Sequence, residues 1–140
     1  MKALVTGATG FVGSAVAKRL LEAGREVRAL ARPGGDPSNL MGLDLEVVEG
    51  DLNDARSLAD ACRGCDALFH VAADYRLWAR EPQQMLNTNV QGTRSMMRAA
   101  SDAGISRIVY TSSVATLGIL PGNAASDEET PVTFDDMIGL

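Results

Sequence analysis

Three glycines spaced G-x-x-G-x-x-G stand near the start of the chain, in Thr6-Gly7-Ala8-Thr9-Gly10-Phe11-Val12-Gly13. A short apolar run precedes them and a segment of helical period follows. Glycine lacks a Cβ, so it admits tight turns and close backbone approach. Here Gly7 permits the turn out of a strand, Gly10 lets backbone approach a pyrophosphate, and Gly13 lets the helix pack on a sheet. The phosphates then sit at the helix N-terminus, where free N–H groups and the helix dipole favour anions. A glycine-rich turn with no ligand is the alternative. The strand before and the helix after supply the context that the binding motif requires.

The rest of the chain repeats this alternation. Lys2 to Thr6 is short and bounded by glycine, which predicts a strand buried on both faces. From Phe11 to Ala23 the period changes: Val12, Val16 and Leu20 recur opposite Ser14, Lys18 and Glu22, which predicts an amphipathic helix closed by Gly24. Glu26 to Arg32 reads as a second strand, followed by a loop of Pro33, Gly34, Gly35, Asp36 and Pro37. Leu45 to Val48 is a third strand, ending at Gly50-Asp51-Leu52, and Asn53 is expected to cap a short helix running to about Cys62. Ala67 to Ala72 is a fourth strand. Pro82 opens a long helix that ends at Gly104, with Leu86, Val90, Met97 and Ala100 along one stripe. Arg107 to Thr111 is a fifth strand.

Alternating strands and helices predict an α/β fold, a Rossmann-type doubly wound parallel sheet of order 3-2-1-4-5. No linker divides residues 1–140, so one dinucleotide-binding domain is expected. Ser112 to Leu140 shows no clear period, where a sheet of this kind usually gains a sixth strand. A C-terminally incomplete chain is therefore expected.

Composition removes other classes. A chain of 140 residues can bury roughly two-thirds of its unfolded surface, enough for a real core. The formal charge of −5 disfavours a sequence-independent nucleic-acid binder. No apolar run approaches the roughly 18–20 residues of a membrane span. Lys2 before an apolar stretch imitates a signal peptide, but Thr6, Gly7, Thr9, Gly10 and Gly13 interrupt the stretch, and a cytoplasmic location is expected by default. Two cysteines are too few for a disulfide framework.

The end of the second strand discriminates between dinucleotides. An acidic residue there would bind a ribose 2′-OH and indicate NAD; an arginine would accommodate a 2′-phosphate and indicate NADP. The strand ends Leu30-Ala31-Arg32, with Ala31 where the acid would stand. Residues 1–32 carry six bases against two acids, whereas residues 33–140 carry seven against sixteen. NADP is favoured, with Arg32 as phosphate partner and NAD as the alternative; Arg32 as a plain solvated arginine is the other reading.

The motif residues, in order, are Thr6-Gly7-Ala8-Thr9-Gly10-Phe11-Val12-Gly13, Gly50-Asp51-Leu52, His70-Val71-Ala72-Ala73, Asn89-Val90-Gln91-Gly92-Thr93 and Tyr110-Thr111-Ser112-Ser113. With them the chain resembles the N-terminal part of the extended short-chain dehydrogenase/reductases, the NAD-dependent epimerase/dehydratases and dihydroflavonol-reductase-like enzymes. Ala73-Asp74-Tyr75-Arg76-Leu77-Trp78 looks most like the hopanoid-associated sugar epimerases. The resemblance implies hydride transfer between nicotinamide and a sugar-like or other hydroxyl or keto substrate. It implies cofactor contacts from Gly7, Thr9, Gly10, Phe11, Val12 and Gly13. Asp51 and Leu52 would hold the adenine, and Val71, Ala72 and Ala73 would line the ribose and nicotinamide side. Asn89 would tie its helix to strand backbone, Thr111 would approach the nicotinamide ribose, and Ser113 would be the catalytic hydroxyl that bonds the reacting substrate oxygen. Each also has an ordinary structural reading: Asp51 as a helix-start acid, Ala72 and Ala73 as small core residues, Ser113 as a loop hydroxyl. Relatives often dimerise through helices that include the one after the fourth strand, so a homodimer is an option.

The family's proton-transfer pair is a tyrosine followed four residues later by a lysine, which depresses the tyrosine's pKa. The lysines here are Lys2 and Lys18, and Tyr75 and Tyr110 are followed at that spacing by Ala79 and Val114. The pair is absent, and in the family it falls shortly after a segment like 133–140. A truncated chain, catalytically inactive by itself, is the expectation. A non-catalytic dinucleotide-binding or sensing module is the alternative.

Other features carry less. Cys62-Arg63-Gly64-Cys65 has only His70 as a further zinc ligand, and it lies near a helix C-terminus and not the N-terminus that lowers thiol pKa. Two ordinary thiols and no metal site are expected. His70 in an apolar strand is expected to be a satisfied near-core histidine. Tyr75 and Trp78 follow the fourth strand at the ligand edge and either shape a substrate pocket or pack locally.

Overall fold

A computed structural model describes residues 1–74 and 82–133, and the chain falls into two compact units, Met1–Tyr110 and Thr111–Leu140. The first unit runs β1 (Lys2–Thr6), α1 (Phe11–Glu22), β2 (Glu26–Ala31), β3 (Glu46–Glu49), α2 (Ala55–Cys62), β4 (Ala67–His70), α3 (Pro82–Asp102) and β5 (Arg107–Tyr110). All strand pairs are parallel and the order is β3-β2-β1-β4-β5, as the alternation predicts. The direction of winding reverses between β1 and β4, which is where ligands bind in open α/β sheets, beyond the strand C-termini. Thr6 at the end of β1 stands in register with Leu30 on one side and His70 on the other.

Successive side chains of β1 point to opposite faces and feed two cores. Leu4 packs with Leu30, Leu58, Leu68 and Met96; Val5 packs with Ala17, Val27, Ala29 and Leu40. Each fully buried leucine contributes roughly 2 kcal/mol from removal of apolar surface. Met96 is fully buried and Met97 half-buried, as helix packing requires.

The predicted face of α1 is corrected by one position. Gly13 and Ala17 are its buried residues, while Val12 is 49% exposed. Small residues let the helix axis approach the sheet, so the contact line is the one that lacks bulk; Val16, Leu20 and Leu21 flank it. The cap of α2 is likewise Asp54 and not Asn53: the Asp54 carboxylate accepts from Arg56 N at 3.0 Å, whereas Asn53 donates from its backbone and side chain to Asp51 Oδ1. In α3 the buried positions are Gly92, Met96, Ala99 and Ala100, and Val90 is exposed.

At the strand N-termini a charged cluster closes the sheet. Lys2 Nζ lies 2.6 Å and Arg28 Nε 3.0 Å from Glu46 Oε2. Hydrogen bonds from Lys2 and Arg28 hold the Glu46 carboxyl below its usual range. Arg28 Nη1 donates to the carbonyls of Ala61 and Arg63 at 2.7 Å each, at the C-terminal end of α2. Backbone N of Lys2 donates to Asp66 Oδ2 at 2.6 Å.

The second unit contains two single 3-10 turns among its described residues, Val114–Thr116 and Pro121–Asn123. Ser113 caps the first, its Oγ accepting from Ala115 N at 3.2 Å. A further turn is held by Asp127 and Thr130.

Candidate functional site

The glycine turn and the end of β4 are built together. Gly7 has φ +66°, and a Cβ on it would lie 2.8 Å from the Ala72 backbone. The loop thus crosses directly over the chain leaving β4. A Cβ on Gly13 would collide with the Gly7 carbonyl, so this glycine is required by helix-to-loop packing. Gly10 is different. Its φ is −84°, which any residue adopts, and a Cβ there would meet only Gly7 O, at 3.3 Å. Gly10 is exposed, so the protein leaves bare backbone toward the outside at that point.

Gly10 is also the N-cap of α1, with no side-chain cap, and the first turn holds no acidic residue. The first N–H groups of the helix and its positive dipole end therefore have no charged competitor within the helix itself. Phe11 is 87% exposed beside them. These features fit a phosphate-bearing ligand: an uncapped helix terminus supplies donors, and the missing Cβ of Gly10 supplies room.

Arg32 follows β2 in a tight turn, Arg32-Pro33-Gly34-Gly35, closed by Gly35 N to Arg32 O at 2.9 Å, with Gly34 at φ +70°. Proline then glycine in this order suits a type II turn. Arg32, Pro33, Gly34, Gly35 and Asp51 line an open groove of about 490 Å³. Asp51 Oδ1 accepts from Asn53 backbone and side chain at 2.8 and 2.9 Å, and Oδ2 has no hydrogen bond among the described residues. Gly50 before it is buried, where a Cβ would press on Leu30 Cδ1 and Ser57 Oγ. Leu52 is half-buried beneath Gly92 of α3, whose added Cβ would come 2.8 Å from that of Leu52.

Beneath the crossing lies a polar hub that sequence reasoning misses. Thr6 Oγ1 is 2.7 Å from His70 Nδ1 and accepts from the backbone N–H groups of Val71 and Ala72 at 3.2 Å each. Both of its lone pairs are thus used, so the hydroxyl proton goes to Nδ1. His70 Nε2 then carries the ring proton and donates to Thr93 Oγ1 at 3.0 Å. Burial pushes the His70 pKa down to about 4, and the ring stacks on Tyr110 at 5.6 Å. His70 is the satisfied core histidine its apolar strand implies. The signal for the hub is Thr6 at the end of a buried strand; its partner is 64 residues away.

Asn89 holds Asp74 by both backbone groups: Asp74 N donates to Oδ1 at 2.7 Å and Nδ2 donates to Asp74 O at 2.8 Å. It ties α3 to the chain after β4. Val71 and Ala72 are half-buried there and Ala73 is exposed. Thr111 and Ser113 belong to the second unit, both exposed. Tyr75 and Trp78 lie outside the described residues.

Cys62 and Cys65 are buried free thiols; burial pushes Cys62 up to about 11 and raises Cys65. Among the described residues no group of three or more His, Cys, Asp or Glu is placed to hold a metal ion, and no helix is long and apolar enough to cross a membrane.

The fold and the turn together define a Rossmann-like dinucleotide-binding protein. The chain belongs to the NAD dependent epimerase/dehydratase family, which matches residues 3–135. It is similar to the solved structure of gox2253, with 52% identity and a TM-score of 0.93, covering 98% of this chain and 42% of that one. It is 41% identical to sterol demethylase protein B of Methylococcus capsulatus over 96% of this chain and 41% of that protein. It is 41% identical to dihydroflavonol 4-reductase of Zea mays over 83% of this chain and 35% of that protein. A solved short-chain dehydrogenase/reductase superfamily protein from Agrobacterium tumefaciens, 36% identical with a TM-score of 0.71 over 83% of this chain and 34% of its own, holds bound NAD. The chain spans 39% and 41% of the first curated relatives it matches.

Proposed function

We propose that the chain forms the cofactor half of an NADP(H)-using reductase or epimerase acting on a hydroxyl or keto substrate, sugar-like or otherwise. The observation that carries it is the groove in which Arg32 and Asp51 stand together beyond β2 and β3, with Ala31 where an NAD-selecting acid would be expected. The uncapped start of α1 would take the pyrophosphate through its free N–H groups. Asp51 Oδ2 would accept from the adenine amino group, and Arg32 would pair with a 2′-phosphate through its guanidinium. Val71, Ala72 and Ala73 would line the ribose and nicotinamide side. Bound nicotinamide would supply the hydride donor or acceptor.

Ser113 would hydrogen-bond the substrate oxygen whose carbon is oxidised or reduced, and Thr111 would approach the nicotinamide ribose. The proton-transfer tyrosine and lysine are not among these 140 residues, so they would come from a longer whole protein, as the length of the relatives supports. The names of the relatives support an enzyme more than a sensing module. Titration of the chain with NADP+ and NAD+ by calorimetry tests the cofactor reading. Binding of NADP+ tenfold or more tighter than NAD+ is expected. Tighter NAD+ would sink the NADP assignment, and binding of neither would sink the site. For the reaction, the product of the entire reading frame should oxidise NADPH with a keto substrate.

A further inference from the structure

Asn39 is far from every motif in sequence, yet its Nδ2 donates to the Thr9 carbonyl at 2.7 Å, across 30 residues. It sits in the 3-10 turn Ser38–Leu40, which is fixed on both sides: Leu40 is buried in the core beneath α1, and Asp36 accepts from Ser38 backbone N and Oγ at 2.9 and 3.0 Å. The Thr9 carbonyl and the Gly10 N–H belong to one planar peptide. The N–H end is bonded to Gly7 O at 3.0 Å. Asn39 holds the other end. The peptide that leads into Gly10, the N-cap of α1, is therefore clamped at both of its polar groups.

That peptide borders the helix start, where the ligand phosphates would be received. A carbonyl oxygen carries partial negative charge. Released from Asn39, it would compete with an anion for the free N–H groups of the first turn. We infer that Asn39 is a positioning residue for pyrophosphate: it sequesters the Thr9 carbonyl and so keeps the start of α1 free for an anion. The inference rests on the dinucleotide reading above. It also gives the 32–40 segment a second task, since one end of this stretch bears Arg32 in the adenosine-side groove and the other end bears Asn39 on the glycine turn.

The test compares the unsubstituted chain with Asn39→Ala and Asn39→Asp. The alanine removes the donor without adding charge; the aspartate keeps the shape, removes the donor and adds a negative charge, so the alanine decides the inference and the aspartate should weaken the dinucleotide further. Each is titrated with the dinucleotide and with its adenosine fragment lacking the 5′-phosphates, NADP+ against 2′-AMP and NAD+ against adenosine, and each is melted. The expected result is dinucleotide binding weaker on the order of tenfold in Asn39→Ala and weaker still in Asn39→Asp, with fragment binding and melting midpoint unchanged. Unchanged dinucleotide binding by Asn39→Ala overturns the inference. So does an equal loss for fragment and dinucleotide, or loss of the folded state in both variants, because either makes Asn39 a general scaffold residue. If the unsubstituted chain binds neither dinucleotide, the underlying reading fails and takes this inference with it.

Discussion

Thr6 Oγ1 donates to His70 Nδ1 over 2.7 Å while accepting from two backbone N–H groups of the chain leaving β4. One hydroxyl therefore fastens β1 to the start of the loop that the glycine turn crosses. Thr6→Val keeps the shape and strands three buried polar groups. It should destabilise the chain by about 2–3 kcal/mol. Thr6→Ser keeps the hydroxyl and should lose only about 1 kcal/mol, for the missing methyl group. Urea midpoints compare the two. Equal losses would show that the methyl group, not the hydroxyl, matters.

His70 makes stability depend on pH. Its folded pKa is near 4 against an ordinary 6.5, because burial disfavours the charged ring. The unfolded chain then binds a proton that the folded chain refuses. Stability is complete above pH 6.5 and declines as pH falls toward 4, by up to about 1.4 kcal/mol per pH unit. His70 is the only histidine, so in His70→Gln the loss above about pH 5 should vanish, leaving below it only the carboxylate-linked loss to which Glu46 contributes. Denaturation at stepped pH checks it, and a flat wild-type profile over that window would remove the buried neutral histidine.

The order of the sheet was legible because β1, β2 and β3 are short runs closed by glycine or proline, β4 and β5 each begin shortly after the glycine that ends a helix, and each helix shifts to a longer period. What was hidden has a common cause. The buried line of α1 is Gly13 and Ala17, which carry too little apolar bulk to register as a stripe. The cap of α2 stands beside an asparagine equally able to serve, and which one caps depends on Asp51 drawing Asn53 to itself. The Thr6–His70 and Asn39–Thr9 bonds join distant positions, and no local pattern encodes them. The glycine turn, Arg32 and Asp51 were readable as cofactor candidates because backbone geometry and charge at strand ends are written locally.

Two glycines of the turn should respond oppositely to alanine. Gly13→Ala drives a Cβ into the Gly7 carbonyl and should cost about 2–3 kcal/mol or more of stability. Gly10→Ala has an ordinary φ and a single contact at 3.3 Å, so stability should stay within about 1 kcal/mol. Its methyl group would occupy the space proposed for the phosphates, and NADP+ should bind more weakly by at least about tenfold. Melting and calorimetry on both variants decide this. Unaltered binding by Gly10→Ala would place the phosphates elsewhere.

Arg32→Ala should discriminate between the cofactors. A lost guanidinium–phosphate pair corresponds to roughly 10–100-fold weaker NADP+ binding, with NAD+ changed little. Parallel weakening of both would assign Arg32 to the shared part of the ligand.

The two thiols should be inert. With Cys62 pushed up to about 11 and Cys65 raised as well, little thiolate exists at pH 8, and both side chains are buried. Iodoacetamide should label the native chain far more slowly than the urea-unfolded chain. Rapid native labelling of either would revive a redox role.

Lys2, Glu46 and Asp66 stand at or just before strand N-termini, and Arg28, level with Leu4 in the middle of β2, reaches Glu46 from there. The lower rim of the sheet is thus braced by charge, whereas the upper rim, which bears the glycine turn, is braced by the Thr6 hydroxyl and by close glycine packing. An engineer can harden the lower rim with fresh charges or a fused partner without touching the upper one. Change at the upper rim is confined to positions such as Gly10 and Arg32, because Thr6 and Gly13 hold the scaffold there as well.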